Sequence, residues 1–126
     1  MDLPYEKQVL EDGIVVFRVK STIREHIDAW YQDVASVFAK SRAEQAASRI
    51  LYDIRNIDAI TPYGVQKAED LSKLPLPNEW RVATLVKNAF IANMVNYVRL
   101  VSLQPGMRDR SRLFSDEAEA LAWLRE

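Results

Sequence analysis

Residues 50–64 constrain the fold of this chain more than any other segment. Residues 50–54 form a nearly continuous apolar run, which is typical of a strand covered on both faces of a sheet. After a short irregular stretch come Thr61, a favourable N-cap, and Pro62, which suits the first position of a helix because its missing N–H costs nothing there. In several α/β families such a junction between strand and helix carries a regulatory or ligand-binding group.

The rest of the chain predicts an α/β fold, because strand and helix patterns alternate after a leading hairpin. Asp12 and Gly13 suit the tight turn of that hairpin. Thr22 and Glu25 have the spacing of a capping box at the start of the first helix. Further on, Ser115 is the predicted cap of the last helix. We expect one domain over residues 1–126, with a mostly parallel sheet of about five strands and about four helices. The predicted strands cover residues 5–10, 14–20, 50–54, 80–86 and 110–114, and the helices cover 22–41, 61–73, 88–103 and 115–124.

The amino-acid composition excludes several classes of function. Seventeen Lys and Arg residues against eighteen Asp and Glu give a formal net charge of −1, so no bulk attraction to nucleic acid is expected. The chain has no cysteine, which excludes thiol catalysis and thiolate metal sites, and its single histidine argues against a histidine metal site. Its three glycines fall in turns or at a helix start, so none is left for a glycine-rich phosphate loop. We therefore predict neither a metal nor a cofactor.

The sequence also predicts a soluble cytoplasmic protein. Residues 1–4 do not begin a basic region followed by an apolar run, as a signal peptide would. The longest uncharged apolar stretch, residues 88–98, is much shorter than the roughly 20 residues that span a bilayer.

No arrangement of polar residues predicts catalysis. Asp53 and Asp58 could suggest paired carboxylates, but their positions do not require one shared cleft. Asp53 is instead expected to accept hydrogen bonds from backbone or arginine groups. Thr61 could carry a regulatory hydroxyl, although capping the helix is the simpler role, and His26 is expected on a solvated helix face. Because no nucleophile stands beside a base, we predict that the protein is not an enzyme.

Two groups of residues are candidates for binding. Arg108, Arg110 and Arg112 alternate as side chains on one side of a strand do, so they could hold a phosphate or a lipid headgroup. Charges of this kind more often protect an edge strand from pairing. The second group is apolar, and methionine and aromatic side chains line adaptable pockets, although they more often fill ordinary cores. It comprises Trp80, Phe90, Ile91, Met94 and Tyr97, with Tyr63 expected nearby.

The C-terminal segment and the order of the elements resemble those of a known family. Residues 112–124 read Arg-Leu-Phe-Ser-Asp-Glu-Ala-Glu-Ala-Leu-Ala-Trp-Leu. Together with the junction at residues 50–64, this ending resembles the SpoIIAA-like proteins of the STAS group (sulfate transporter and anti-sigma-factor antagonist). That group is similar in fold to the CRAL-TRIO lipid-transfer domains. The resemblance covers nearly the whole chain and implies a SpoIIAA-like domain.

The chain departs from the family motif at the positions that carry regulation. In the anti-sigma-factor antagonists the junction reads Asp-Leu-Ser and, further on, Asp-Ser-Ser-Gly, and a partner kinase phosphorylates a serine there. Asp53 and Gly64 match the first Asp and the Gly, but Thr61, Pro62 and Tyr63 stand at the second Asp and the two serines. The phosphorylation switch is therefore not expected in this chain.

The resemblance implies non-enzymatic binding. The leading expectation is a protein–protein interaction in which the partner contacts residues 61–74. The alternative is an apolar or lipid-like small molecule held between the helices at 61–73 and 88–103, as the CRAL-TRIO similarity implies. A homodimer could form through the hairpin edge or the first helix, but no residue requires one. The residues expected at the binding site are Thr61, Tyr63, Trp80, Phe90, Met94 and Tyr97.

Overall fold

The computed structural model describes residues 5–126, which form a five-stranded sheet in the order β1-β2-β3-β4-β5. The first two strands are antiparallel and the other three neighbouring pairs are parallel. This confirms the predicted α/β class, the N-terminal hairpin and the mostly parallel sheet. The prediction that residues 1–4 begin no signal peptide lies outside the described residues. The strands are β1 (Tyr5–Val9), β2 (Val15–Val19), β3 (Ser48–Asp53), β4 (Trp80–Leu85) and β5 (Ser111–Phe114).

Residues 5–126 also contain four α-helices and one 3₁₀ helix, Pro105–Arg110. The sequence predicted about four helices, and the 3₁₀ helix is the fifth helical segment. It was missed because a short segment that begins with proline has no amphipathic period to recognise. None of the helices in the described part of the chain is both long and apolar enough to cross a membrane. The α-helices are α1 (Arg24–Glu44), α2 (Pro62–Ser72), α3 (Ala89–Ser102) and α4 (Glu117–Arg125).

The order of the strands determines which helices share a face of the sheet. From β2 to β5 each parallel strand is added on the same side of the previous one, so right-handed crossovers place α1, α2 and α3 on one face. Phe17, Ile50 and Val82 point to that face and form a core with side chains of α1 and α2. Helix α4 covers the opposite face, where Trp123 and Leu124 pack against alternate residues of the same strands.

The helix caps test the local predictions directly. Thr61 caps α2 as predicted, because its hydroxyl accepts from the Gly64 amide at 3.0 Å. The predicted cap of α4 was wrong by one residue: the carboxylate of Asp116, not Ser115, accepts from the third amide of the helix. The capping box at Thr22 was also wrong, because α1 begins at Arg24 without a side-chain cap among the described residues. Single polar residues next to a helix start therefore give its position to within one or two residues.

Candidate functional site

A cavity of about 220 Å³ lies between the sheet and the three helices α1, α2 and α3. Tyr52, Val82 and Thr84 line it from the sheet, and residues of α1, α2 and α3 complete its wall. The lining is overwhelmingly apolar. For comparison, an engineered apolar cavity of about 150 Å³ is large enough to bind benzene.

Small residues near and on α2 account for part of this space. Ala59, Gly64 and Ala68 line the cavity where larger side chains would fill it. A Cβ added at Gly64 would lie 3.3 Å from the Thr61 hydroxyl oxygen, which is a tight contact. Because Gly64 has no side chain, it leaves room for the Thr61 cap of α2. It also leaves the cavity wider at this position.

Helix α3 turns a different stripe toward the cavity from the one that the sequence predicted. Ile91 is its buried residue, and Val95, Val98 and Ser102 line the cavity at the spacing of one helix face. Of the residues predicted on this helix, Ile91 is buried, whereas Phe90 and Tyr97 lie on an outer stripe and are each 66% exposed. Two apolar stripes run along this helix, and periodicity alone does not distinguish the inner one from the outer one.

Two of the six predicted site residues line the cavity, namely Thr61 and Trp80. Phe90, Met94 and Tyr97 lie outside its lining. Tyr63 also lies outside it and instead connects α2 to α1: its hydroxyl donates to Asp28, and the guanidinium of Arg24 lies 4.4 Å from its ring centroid. The prediction of a site between α2 and α3 thus coincides with a cavity, but most of the named side chains do not contribute to it.

The irregular segment between β3 and α2 supplies side chains that sequence reasoning missed. Ile54, Ile57 and Ile60 line the cavity, and Ile57 is buried although it lies in a loop. The sequence did contain a signal for these buried side chains. Isoleucine recurs at every third position of this loop, whereas exposed loops are usually polar. The stretch at 50–64 therefore contributes to the cavity wall as well as to the fold.

Polar groups line the cavity where α3 approaches β5. Arg99 Nε donates to Ser111 Oγ at 3.0 Å, and its Nη2 donates to the carbonyl oxygens of Arg108 and Ser111. Burial, with a smaller effect of the nearby Arg108 guanidinium, lowers the pKa of Arg99 below its ordinary value. Ser102 lies one turn further along α3, and its hydroxyl is buried with no hydrogen-bond partner among residues 5–126.

Two aromatic residues add further polar atoms to the cavity wall. The indole Nε1 of Trp30 is buried and has no hydrogen-bond partner in the described part of the chain. Burial raises the pKa of the Tyr52 phenol above its ordinary value. The cavity is thus apolar overall, with a few hydrogen-bonding groups, as small-molecule sites usually are.

A separate cluster of charges lies at the carboxyl end of the sheet, on the face that α4 covers. Asp53 accepts from Arg18 at 2.7 Å and from Arg55 Nε at 2.9 Å, and Glu117 accepts from Arg18 at 2.7 Å. This confirms that Asp53 accepts arginine hydrogen bonds. Asp58 is paired with Lys87 instead, so the two aspartates do not form a carboxylate pair. Among residues 5–126, no group of three or more His, Asp or Glu side chains is arranged to hold a metal ion.

Two of the three arginines do not lie on the predicted strand, and the histidine is half-buried. Arg108 and Arg110 lie in the 3₁₀ helix, not in a strand, and they donate to backbone carbonyl oxygens. Arg112 lies on β5 with its guanidinium 5.3 Å from the Trp123 ring centroid. His26 was expected to be solvated, but its Nδ1 is buried without a partner among the residues described.

No protein-family model matches the chain, and no curated protein matches it either.

Proposed function

We propose that this protein binds a small apolar molecule in the cavity between α2, α3 and the sheet, without catalysing a reaction. The cavity itself is the observation that supports this function. Protein interiors are close-packed and rarely leave space larger than a water molecule. This cavity is partly open, so water contacts its apolar lining. A bound apolar ligand would remove that surface from water, which is favourable by about 25 cal/mol per Å².

The experiment uses 1-octanol as a probe in an NMR titration of the amide signals. Saturable shifts are expected for residues that line the cavity, including Ala68, Val95 and Val98. Ala68→Leu places a larger side chain in the cavity and should abolish binding. Ala39→Leu makes the same change at an exposed position of α1 and should bind like the wild type.

Two results would contradict this function. One is a wild-type protein that shows no saturable shifts with 1-octanol. The other is an Ala68→Leu variant that binds 1-octanol as tightly as the Ala39→Leu control, because the ligand would then lie elsewhere. Native mass spectrometry of the purified protein adds an independent observation, since a retained ligand would appear as a mass difference.

A protein partner is the second candidate function, and the outer stripe of α3 favours it. Phe90 and Tyr97 lead this stripe, and Leu100 and Val101 remain 47% and 53% exposed. Contiguous exposed apolar surface of this kind often marks an interaction site. Residues 61–74 present less apolar surface to a partner, because Tyr63 is hydrogen-bonded to α1 and Leu74 packs against the core. Analytical ultracentrifugation of the wild type and of Tyr97→Ser would show whether the stripe supports self-association.

We also propose that the domain is SpoIIAA-like. The supporting features are the leading hairpin, the parallel strands that follow it and the capped junction at Thr61 and Gly64. The missing serines at this junction favour a binding role without a phosphorylation switch. Thr61→Glu should therefore leave binding of a protein partner largely unchanged, and complete loss of that binding would indicate that a switch persists in altered form.

A further inference from the structure

We propose that the ligand carries an anionic headgroup, specifically a carboxylate on a short apolar chain, and that Arg99 binds this group. The inference rests on the proposed function, because it names the chemistry of a ligand for the same cavity. Arg99 is the one charged residue among the described residues that line the cavity. The remaining lining would surround the apolar chain.

Arg99 has no negatively charged partner in the described part of the chain. Its acceptors among residues 5–126 are the side chains of Asn96 and Ser111 and the carbonyl oxygens of Arg108 and Ser111, all of them neutral. Buried or half-buried cations in proteins are normally paired with an anion. Arg108 adds a second positive charge nearby and is itself bonded to carbonyl oxygens. A bound carboxylate would supply the missing negative charge.

The available donors suit a headgroup with two acceptor oxygens. A guanidinium has five N–H groups. Acceptors within residues 5–126 take four of those of Arg99, which leaves one on Nη1. Ser102 lies one helical turn away on the same wall, and its hydroxyl has no hydrogen-bond partner among residues 5–126. One N–H and one O–H can satisfy the two oxygens of a carboxylate, and hydrogen bonds to a charged acceptor are about twice as strong as neutral ones.

Isothermal titration calorimetry with three probes of equal chain length tests the headgroup. The probes are octanoate, 1-octanol and octylamine, added to the wild-type protein at neutral pH. Octanoate is expected to bind at least about tenfold more tightly than 1-octanol, because a charge-assisted hydrogen bond replaces a neutral one. Octylamine is expected to bind most weakly, since its ammonium would be repelled by Arg99.

A matched pair of variants assigns the preference to one arginine. Arg99→Gln should bind octanoate and 1-octanol with similar affinity, whereas Arg112→Gln, which removes the same charge on the other face of the sheet, should keep the wild-type preference. Ser102→Ala leaves the contacts of Arg99 intact and should weaken octanoate binding by about fivefold, as expected for one hydrogen bond.

Different results would contradict the anionic headgroup and the binding of a ligand in the cavity. If the wild type binds 1-octanol as tightly as octanoate, or prefers octylamine, the anionic headgroup is contradicted while the cavity remains a ligand site. If none of the three probes binds, the proposed function fails and this inference fails with it. The comparison of probes on the wild type decides the question even if Arg99→Gln does not fold.

Discussion

Arg18 and Asp53 are register partners on the neighbouring parallel strands β2 and β3, and the Arg18 guanidinium donates to the Asp53 carboxylate at 2.7 Å. Arg55 donates to the same carboxylate from the loop after β3, and Glu117 brings α4 into contact with Arg18. Two strands, a loop and the last helix are therefore connected through one group of four charges. The two positive charges and the two negative charges of the cluster balance.

Asp53→Asn is expected to lower the free energy of unfolding by about 2 kcal/mol, because hydrogen bonds to a charged group are lost and two guanidinium groups lose their buried acceptor. The Asp53 side chain is 6% exposed, but its partners are more accessible, which limits the loss. Urea denaturation measures the change. Asp58→Asn is the control, since Asp58 is also paired with a basic residue but is 90% exposed, and it should show no measurable change. Equal losses in both variants would contradict a special role for the cluster.

The same cluster predicts that stability falls in acid. Burial acts to raise the pKa of Asp53, but hydrogen bonds from Arg55 and Arg18 outweigh it and leave that pKa below the ordinary value. The hydrogen bond from Arg18 likewise lowers the pKa of Glu117. Carboxyl groups with a lower pKa in the folded chain stabilise the fold above their unfolded pKa of about 4, and this contribution is lost as the pH falls below it.

Urea denaturation between neutral pH and about pH 3 tests this linkage, because the expected loss begins near the unfolded carboxyl pKa of about 4. The free energy of unfolding should decrease as the pH falls through that range. The decrease should be smaller in Asp53→Asn, which has already lost one of the two carboxylates. Identical pH profiles for wild type and variant would show that other groups cause the acid sensitivity.

Ala68→Leu is expected to raise the free energy of unfolding by about 1 kcal/mol, as other cavity-filling substitutions do. Ala68 lines the cavity, so the added carbon atoms enter existing space. Thermal or urea denaturation in the absence of ligand measures the gain, with Ala39→Leu as the exposed control. A loss of stability would contradict this prediction, because it would mean that the cavity wall cannot accommodate leucine.

Thr61→Ala should lower the free energy of unfolding by about 1 kcal/mol, the usual contribution of an N-cap hydroxyl. The hydroxyl accepts from the Gly64 amide, and alanine leaves that amide without its cap. Thr61→Ser keeps the hydroxyl and should stay close to the wild type in the same denaturation experiment. If serine is as harmful as alanine, the methyl group of Thr61 matters more than its hydrogen bond.

Trp80 and Tyr97 should respond very differently to substitution, although the sequence placed both at the binding site. Trp80 is 7% exposed, so Trp80→Ala should cost about 3–5 kcal/mol of stability. Tyr97 is 66% exposed, so Tyr97→Ser should change the free energy of unfolding by less than about 0.5 kcal/mol. Urea denaturation of both variants measures the difference, and a large loss in Tyr97→Ser would show that the outer stripe of α3 is covered in solution.

The sequence by itself determined the α/β class, the leading hairpin, the mostly parallel sheet and the cap at Thr61. These features depend on short-range patterns: turn residues, alternating elements, and a threonine before a proline. The cap of α4 and the start of α1 were misplaced by one or two residues, because several neighbouring polar side chains can reach the same free amides. The Pro105–Arg110 helix was missed for the related reason that it is too short for a period.

Only the tertiary structure decided which stripe of α3 faces inward and which side chains form the cavity. Both stripes are apolar, and which one faces inward depends on how α3 packs against two other elements, α2 and β5. The position of Arg99 beside Ser111, and the pairing of Arg18 with Glu117, likewise join residues from separate elements. Periodicity in the sequence indicates which residues share a face of a helix. Contacts between elements determine whether that face packs against the core or lies in solvent.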